Sequence, residues 1–177
     1  MRGTKIVQKE NEVLRQKTHT VKIADIATAK TKKLIASLSG ALDKEDDGVA
    51  IAAPQIGVPM SVFVVSGKVF DMIEKKSDVQ KSRPDLVCIN PEILKTSRKK
   101  QWMEEGCLSV RWLYGRVERA LKVKLSAHDE HGKKFTMGAS GLLAQIFQHE
   151  VDHLHGILFT DKAKDVTEMP PQKIKKP

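Results

Sequence analysis

The sequence predicts an α+β fold. Two segments carry helical periodicity, residues 24–43 near the N-terminus and Gly141 to His155 near the C-terminus. Between them lie short apolar stretches of strand type, ending in a hairpin. The 177 residues suit one domain with room for a core.

The first helix rests on Ile26, Leu34, Ile35, Leu38 and Leu42, which recur at helical spacing with lysines between them; Gly40 weakens it slightly. Asp43 to Asp47 is a charged break. The small-residue run from Gly48 to Gly57 is too tight for a helix, and Val62 to Val65 reads as a short buried strand. Residues 66–85 are polar and basic and predict an exposed loop. Leu86 to Ile89 is a second apolar strand, ended by Asn90-Pro91. From Val117 the chain alternates: Val117, Leu121, Val123, Leu125 and Ala127 face one way, with Lys122, Lys124 and Ser126 on the other. Asp129 to Gly132 is a turn, and the chain returns through Phe135 and Met137. Residues 161–177 hold Pro170, Pro171 and Pro177 and read as a polar, loosely ordered tail. The expected organisation is one catalytic domain, 1–165, followed by a basic flexible tail, 166–177.

Composition narrows the function classes. Lys and Arg number 31 against 22 Asp and Glu, a net charge of +9 that favours polyanionic surroundings. No basic stretch with interleaved aromatics marks sequence-specific nucleic-acid binding. Only Cys88 and Cys107 are present, so a disulfide framework is not expected and a reducing cytoplasm fits. No apolar run approaches the roughly 18 residues of a membrane helix. The first twenty residues lack the apolar core of a secretory signal, and Glu10 and Glu12 count against an organelle transit peptide.

The chemistry concentrates in His149-Glu150-Val151-Asp152-His153, an H-E-x-x-H pattern. At about 100° per residue, Leu142, Ile146, His149 and His153 fall within an arc of about 60°. Glu150, Leu143, Leu154 and Phe147 continue that side, while Gln145, Gln148 and Asp152 lie opposite. Two imidazoles and a carboxylate therefore point inward. Two hydrogen-bonded core histidines would be a simpler reading, but it leaves an inward glutamate unexplained, because an unpaired buried carboxylate costs several kcal/mol. A divalent ion removes that cost: His at i and i+4 can chelate it, with Glu150 beside a bound water.

A catalytic site of this kind wants a third protein ligand. Asp161, Asp165 and Glu168 lie downstream in the polar tail. Upstream, Cys107 sits in the run Glu104-Glu105-Gly106-Cys107-Leu108-Ser109, a soft ligand after a turn-permitting glycine, and is the preferred candidate. Cys88, inside Leu86-Val87-Cys88-Ile89, reads as core. His19, His128, His131 and His155 lie in polar, turn-like or surface segments.

Three segments now stand in order: Gly48-Val49-Ala50-Ile51-Ala52-Ala53-Pro54-Gln55, Glu105-Gly106-Cys107-Leu108-Ser109 and Gln148-His149-Glu150-Val151-Asp152-His153. Together they resemble the signature motifs of the peptide deformylases, over roughly Gly48 to Asp161. The resemblance implies short antiparallel sheets packed around a central metal-binding helix. It implies removal of the formyl group from the N-terminal formyl-methionine of nascent chains. Cys107, His149 and His153 would be ligands of one divalent metal ion, usually ferrous iron, with zinc, nickel or cobalt also able to occupy the site. Glu150 would be the general acid/base, and Gln55 with the Leu108 backbone N–H would stabilise the oxyanion. Val49, Ala50 and Gly106 would border the substrate, and Leu142 and Ile146 would help form the methionine pocket. The implied partners are formyl-methionyl peptides and, through the basic surface or tail, the ribosome.

Two departures stand out. The family usually carries a glycine where this chain has Ala50, so a methyl would narrow the groove. Arg111-Trp112 replaces the proline common after Cys-Leu-Ser-Val, which predicts a reshaped rim. A zinc endopeptidase, which should have a ligand downstream of the helix, and a nucleic-acid-binding module with a closed four-ligand metal site are the competing readings.

Overall fold

The structure is a computed structural model and describes residues 4–74 and 83–170. Its elements in chain order are α1 (Ala29–Leu42), β1 (Ala50–Ala52), β2 (Val62–Val65), α2 (Gly67–Glu74), β3 (Leu86–Thr96), β4 (Lys100–Gly106), β5 (Leu113–Ala120), β6 (Lys122–His128), β7 (Lys134–Ser140), α3 (Gly141–Leu154) and β8 (Lys164–Glu168). The strands form two antiparallel sheets, one five-stranded in the order β1-β2-β3-β6-β7 and one three-stranded in the order β4-β5-β8. This is the mixed helix and antiparallel-sheet architecture expected.

Each helix covers one part of the larger sheet. α3 buries Leu143, Ala144, Ile146 and Phe147 against Phe63, Cys88, Val123, Leu125, Ala127 and Ala139. On the opposite side, α1 buries Leu38, Ala41 and Leu42 against Ile51, Val62, Val64, Val87 and Ile89. α3 also contacts β5 of the smaller sheet. It ends at a turn that glycine permits: Gly156 has φ of +74°, and a Cβ there would lie 2.5 Å from the Arg15 carbonyl oxygen.

Several segments differ from the sequence expectation. Residues 66–85 contain α2, whose Val69 is buried and whose Phe70 is partly so; the charged residues around them mask the apolar spacing. Residues 75–82 of that expected loop lie outside the described residues. β3 does not stop at Asn90-Pro91. It runs on to Thr96 through an irregularity, with Asn90 at φ 49° and its side chain bonded to the Val21 backbone. The single alternating strand from Val117 is two strands in different sheets, β5 and β6, broken at Leu121. The expected tail is structured at its start, because β8 pairs with β5 and Arg116 bonds Asp165 across them. Its side chains are exposed, so no apolar pattern announces it. Residues 171–177 of the tail lie outside the described residues. β4 has no counterpart in the sequence expectation either, since Glu105 is its only fully buried residue.

Candidate active site

A cleft of about 320 Å³ opens between the two sheets and α3. Val49 and Ala50 at the start of β1, Gln55 just after it, Gly106 at the end of β4, Cys107 and Leu108 after it, and Leu142, Ile146, His149 and Glu150 from α3 all line it. His153, 1% exposed, lies one helical turn beyond His149. The structure thus brings together the residues preferred in the sequence reading. Asp161, Asp165 and Glu168 are elsewhere: Asp161 pairs with Arg15, and the other two lie on β8.

The three candidate ligands converge. Their donor atoms all lie within 4.8 Å of one another. Cys107 Sγ is 3.2 Å from His153 Nε2, and the two imidazole centroids are 4.9 Å apart. Gly106 fixes how β4 delivers the cysteine, because a Cβ there would come within 2.7 Å of the Tyr114 ring on the paired strand. The chemistry of this set suits a divalent cation: a thiolate, two imidazoles and, among the described residues, no fourth protein donor. Glu150 Oε2 is buried and has no hydrogen-bond partner, as expected of a carboxylate placed for a cation and a water. Burial pushes the Glu150 carboxyl up to about 7 against the charge of His149; a bound cation would favour its charged form.

Behind the imidazoles lies a network that sequence reasoning missed. Glu105 Oε2 is 3.0 Å from His149 Nδ1 and so leaves Nε2 for a ligand. Arg119 donates to Glu105 through Nε at 2.7 Å and Nη2 at 2.9 Å, and through Nη1 to Asp152 at 2.6 Å. Lys162 also reaches Asp152. Gln145 donates to the Glu104 carbonyl oxygen at 2.7 Å, and Gln148 brackets the Ala120 backbone. The polar side of α3 therefore faces hydrogen-bonding partners of the smaller sheet, not open solvent. Burial alone would raise the Glu105 carboxyl, but the hydrogen bonds from Arg119 and His149 outweigh it and lower it to about 2. A signal for Arg119 existed: it occupies the inward phase of the alternation between Val117 and Leu121.

Gln55 is 1% exposed. Its Oε1 accepts from the Ala52 backbone N–H at 2.8 Å, which aims Nε2 toward Cys107 Sγ, 3.6 Å away. Leu108 is held by its carbonyl, which accepts from Gln8 Nε2 at 3.1 Å. Ala50 is buried in the α3 core as well as bordering the cleft. At the rim, Arg111 donates to Glu45 and Asp47 at 2.7 and 2.6 Å and lies over the Trp112 ring at 4.5 Å. Its hydrogen bond holds the Asp47 carboxyl below the usual range.

Comparisons with known proteins point to one family. The family model described as polypeptide deformylase matches residues 4–169. Peptide deformylase 1 of Bacillus anthracis is 47% identical over 116 residues, 66% of each chain. The peptide deformylase of Aquifex aeolicus is 40% identical over 159 residues, covering 90% of this chain and 86% of that one. Among solved structures, the Synechococcus elongatus peptide deformylase in complex with actinonin superposes with a TM-score of 0.77 at 31% identity, covering 93% of this chain and 81% of that one.

Proposed function

The chain belongs to the peptide deformylase family, and from that membership we infer that it hydrolyses the N-formyl group from formyl-methionine at the start of nascent polypeptides, releasing formate. The observation that carries the reading of the site is the convergence of Cys107, His149 and His153 beside the unpartnered Glu150 carboxylate at the cleft floor. We propose these three as the ligands in the central helix and its neighbouring loop, with ferrous iron as the resident ion and zinc, nickel or cobalt as alternatives suited to the same donors. Such an ion supplies Lewis acidity toward the formyl carbonyl and acidifies a water.

The remaining steps belong to side chains. Glu150 takes a proton from water and gives it to the departing amine. As the formyl oxygen gains charge, Gln55 Nε2 and the Leu108 backbone N–H donate to it; loss of one such donor typically costs on the order of a hundredfold or more in rate. Leu142 and Ile146, two turns and one turn before His149 on the cleft wall, receive the methionine side chain. Val49, Ala50 and Gly106 border the peptide backbone.

The decisive assay compares formate release from a formyl-methionyl peptide with cleavage of internal peptide bonds. Formate release without internal cleavage is expected; the opposite pattern makes the chain an endopeptidase. Cys107→Ser should reduce bound metal sharply. Cys88→Ser should leave it nearly unchanged, because Cys88 is fully buried and its thiol is pushed up by burial, then by the Glu150 charge. Metal content after anaerobic purification checks both variants, and the reverse pattern overturns the ligand assignment. Ala50→Gly should lower KM for short formyl-methionyl peptides with little change in kcat. It should also lower stability by about 0.5–1 kcal/mol, since a strand residue packed against α3 loses its methyl. Unchanged KM would show that the groove already accommodates it.

A cytoplasmic site of action is part of this proposal. It follows from a substrate that leaves the ribosome and from two cysteines that are both free. Among the described residues, no helix is long and apolar enough to cross a membrane. The ribosome is the partner proposed for the net charge of +9.

A further inference from the structure

The larger sheet is covered unevenly. α3 covers one face, where Val123, Leu125 and Ala139 are buried, while α1 covers the other face only over β1, β2 and the first half of β3. The second half of β3, with the Lys122–Lys124 end of β6 and the facing Gly138–Ser140 end of β7, leaves its outer face exposed, whereas Ser126 further along β6 is buried. On it, Lys95 pairs in register with Lys124, and Lys124 with Gly138; Lys122 pairs with Ser140 one step along. Lys95, Lys122 and Lys124 are all exposed, and Arg98 and Lys99 lie exposed in the turn that bonds the Lys122 backbone. Among the described residues, none of these five cations makes an ion pair. Glu92 is the one acid on this face of the three strands.

We propose that this face is a docking surface for the phosphate backbone of folded RNA. It extends the ribosomal reading above by naming the surface. Two lysines directly opposite one another without a counter-ion destabilise a sheet, and an anionic partner reverses that sign. Gly138 points the same way. A strand-interior glycine weakens a sheet and often marks close approach by another backbone. Here nothing in the chain requires it: its φ is not in the left-handed region, and a Cβ would meet nothing within 4 Å. Its exposed place beside Lys124 leaves room for a polyanion to lie across the strands, with Thr136 and Ser140 hydroxyls as further phosphate donors. No Phe, Tyr or Trp side chain lies on this face, so it offers no broad platform for stacked bases or membrane anchoring. The fit is to phosphates, independent of sequence. The cleft belongs to the other side of the sheet and stays open to a peptide.

The test uses the full chain, a short labelled RNA duplex, and phosphatidylserine vesicles as the competing polyanion. Fluorescence anisotropy at several salt concentrations should show RNA binding that weakens steeply with salt. The triple variant Lys95→Glu, Lys122→Glu, Lys124→Glu should lose at least about tenfold in affinity, with the log–log salt slope shallower by about 2 to 3. Gly138→Val, which changes no charge, should also weaken RNA binding severalfold. Deformylation of a free formyl-peptide should stay normal in both variants, which reports an intact fold. A control carries the same charge reversals at Lys30, Lys32 and Lys33 on α1. An equal loss of RNA affinity in that control overturns the proposal, because net charge then explains binding. Unchanged RNA affinity in Gly138→Val, or binding to vesicles but not to RNA, overturns it as well.

Discussion

Glu150→Gln is expected to abolish most turnover while leaving the metal in place. Glutamine keeps the volume and one carbonyl oxygen but cannot carry a proton from water to the leaving amine. The fall in kcat should be on the order of a hundredfold to ten-thousandfold, the range typical of a lost general acid/base. Bound metal should be retained, because Glu150 is not among the three converging donors. A second signature comes from burial. In metal-depleted protein, burial raises the Glu150 carboxyl from 4.5 to about 7, so the folded state favours its neutral form. Stability from this group is complete below the unfolded value of 4.5 and is lost as pH rises through about 7; a shift of this size corresponds to about 3 kcal/mol. Glutamine has no such titration. Metal-depleted Glu150→Gln should therefore resist unfolding better than the metal-depleted parent at about pH 8.5, with a smaller difference at about pH 5.5. Formate release, metal content and urea midpoints at the two pH values check this. Near-normal turnover removes Glu150 as the proton carrier, and equal pH dependence in both proteins removes burial as the cause of its shift.

What could be read from the sequence follows from how each residue is held. His149, Glu150 and His153 were legible because helical spacing alone puts them on one face, whatever the rest of the chain does. Cys107 was legible from its neighbours Gly106 and Leu108, and the structure brings its sulfur to His153. β2 was legible because all four of its residues are buried and apolar. β4 and β8 were not, because their stability comes from pairing with β5 and little from their own side chains. The same cause hid Glu105. Its partner Arg119 is 14 positions away in the chain, and Asp152, the next partner of Arg119, is 33 positions further; only the antiparallel pairing of β4 with β5, set against α3, closes the network. Periodicity reports which side of an element faces inward. It does not report that the inward side meets a charge of opposite sign.

That hidden network carries the largest stability effect expected of any single substitution outside the ligands. Arg119 and Glu105 have side chains 4% and 3% exposed, so their charges are removed from water together. Arg119→Met keeps the length and fills the space but leaves the Glu105 carboxylate with only His149 and Gln145. Removing one partner of a buried pair typically costs about 3–5 kcal/mol, because the other charge stays buried without its counter-ion. Asp152 loses its Nη1 donor too, but at 14% side-chain exposure and with Lys162 still bonded it should contribute less. Arg119→Lys should fall between, keeping the charge but losing the fork that reaches Glu105 twice and Asp152 once. The acid limb should move as well. In the parent, Glu105 is lowered from 4.5 to about 2, so its stabilisation is present above 4.5 and lost as pH falls through about 2. Without Arg119, burial is opposed chiefly by His149, the carboxyl rises, and acid unfolding should begin at higher pH. Because Glu105 orients His149, metal affinity should also drop about 10- to 100-fold. Adding Glu105→Gln to Arg119→Met removes the stranded charge and should recover part of the stability, but not the metal affinity. Urea unfolding at neutral and mildly acid pH, paired with metal titration, separates the two effects. A loss below about 1 kcal/mol for Arg119→Met at neutral pH would place the pair in the range of exposed salt bridges and end its role as the frame behind the ligands.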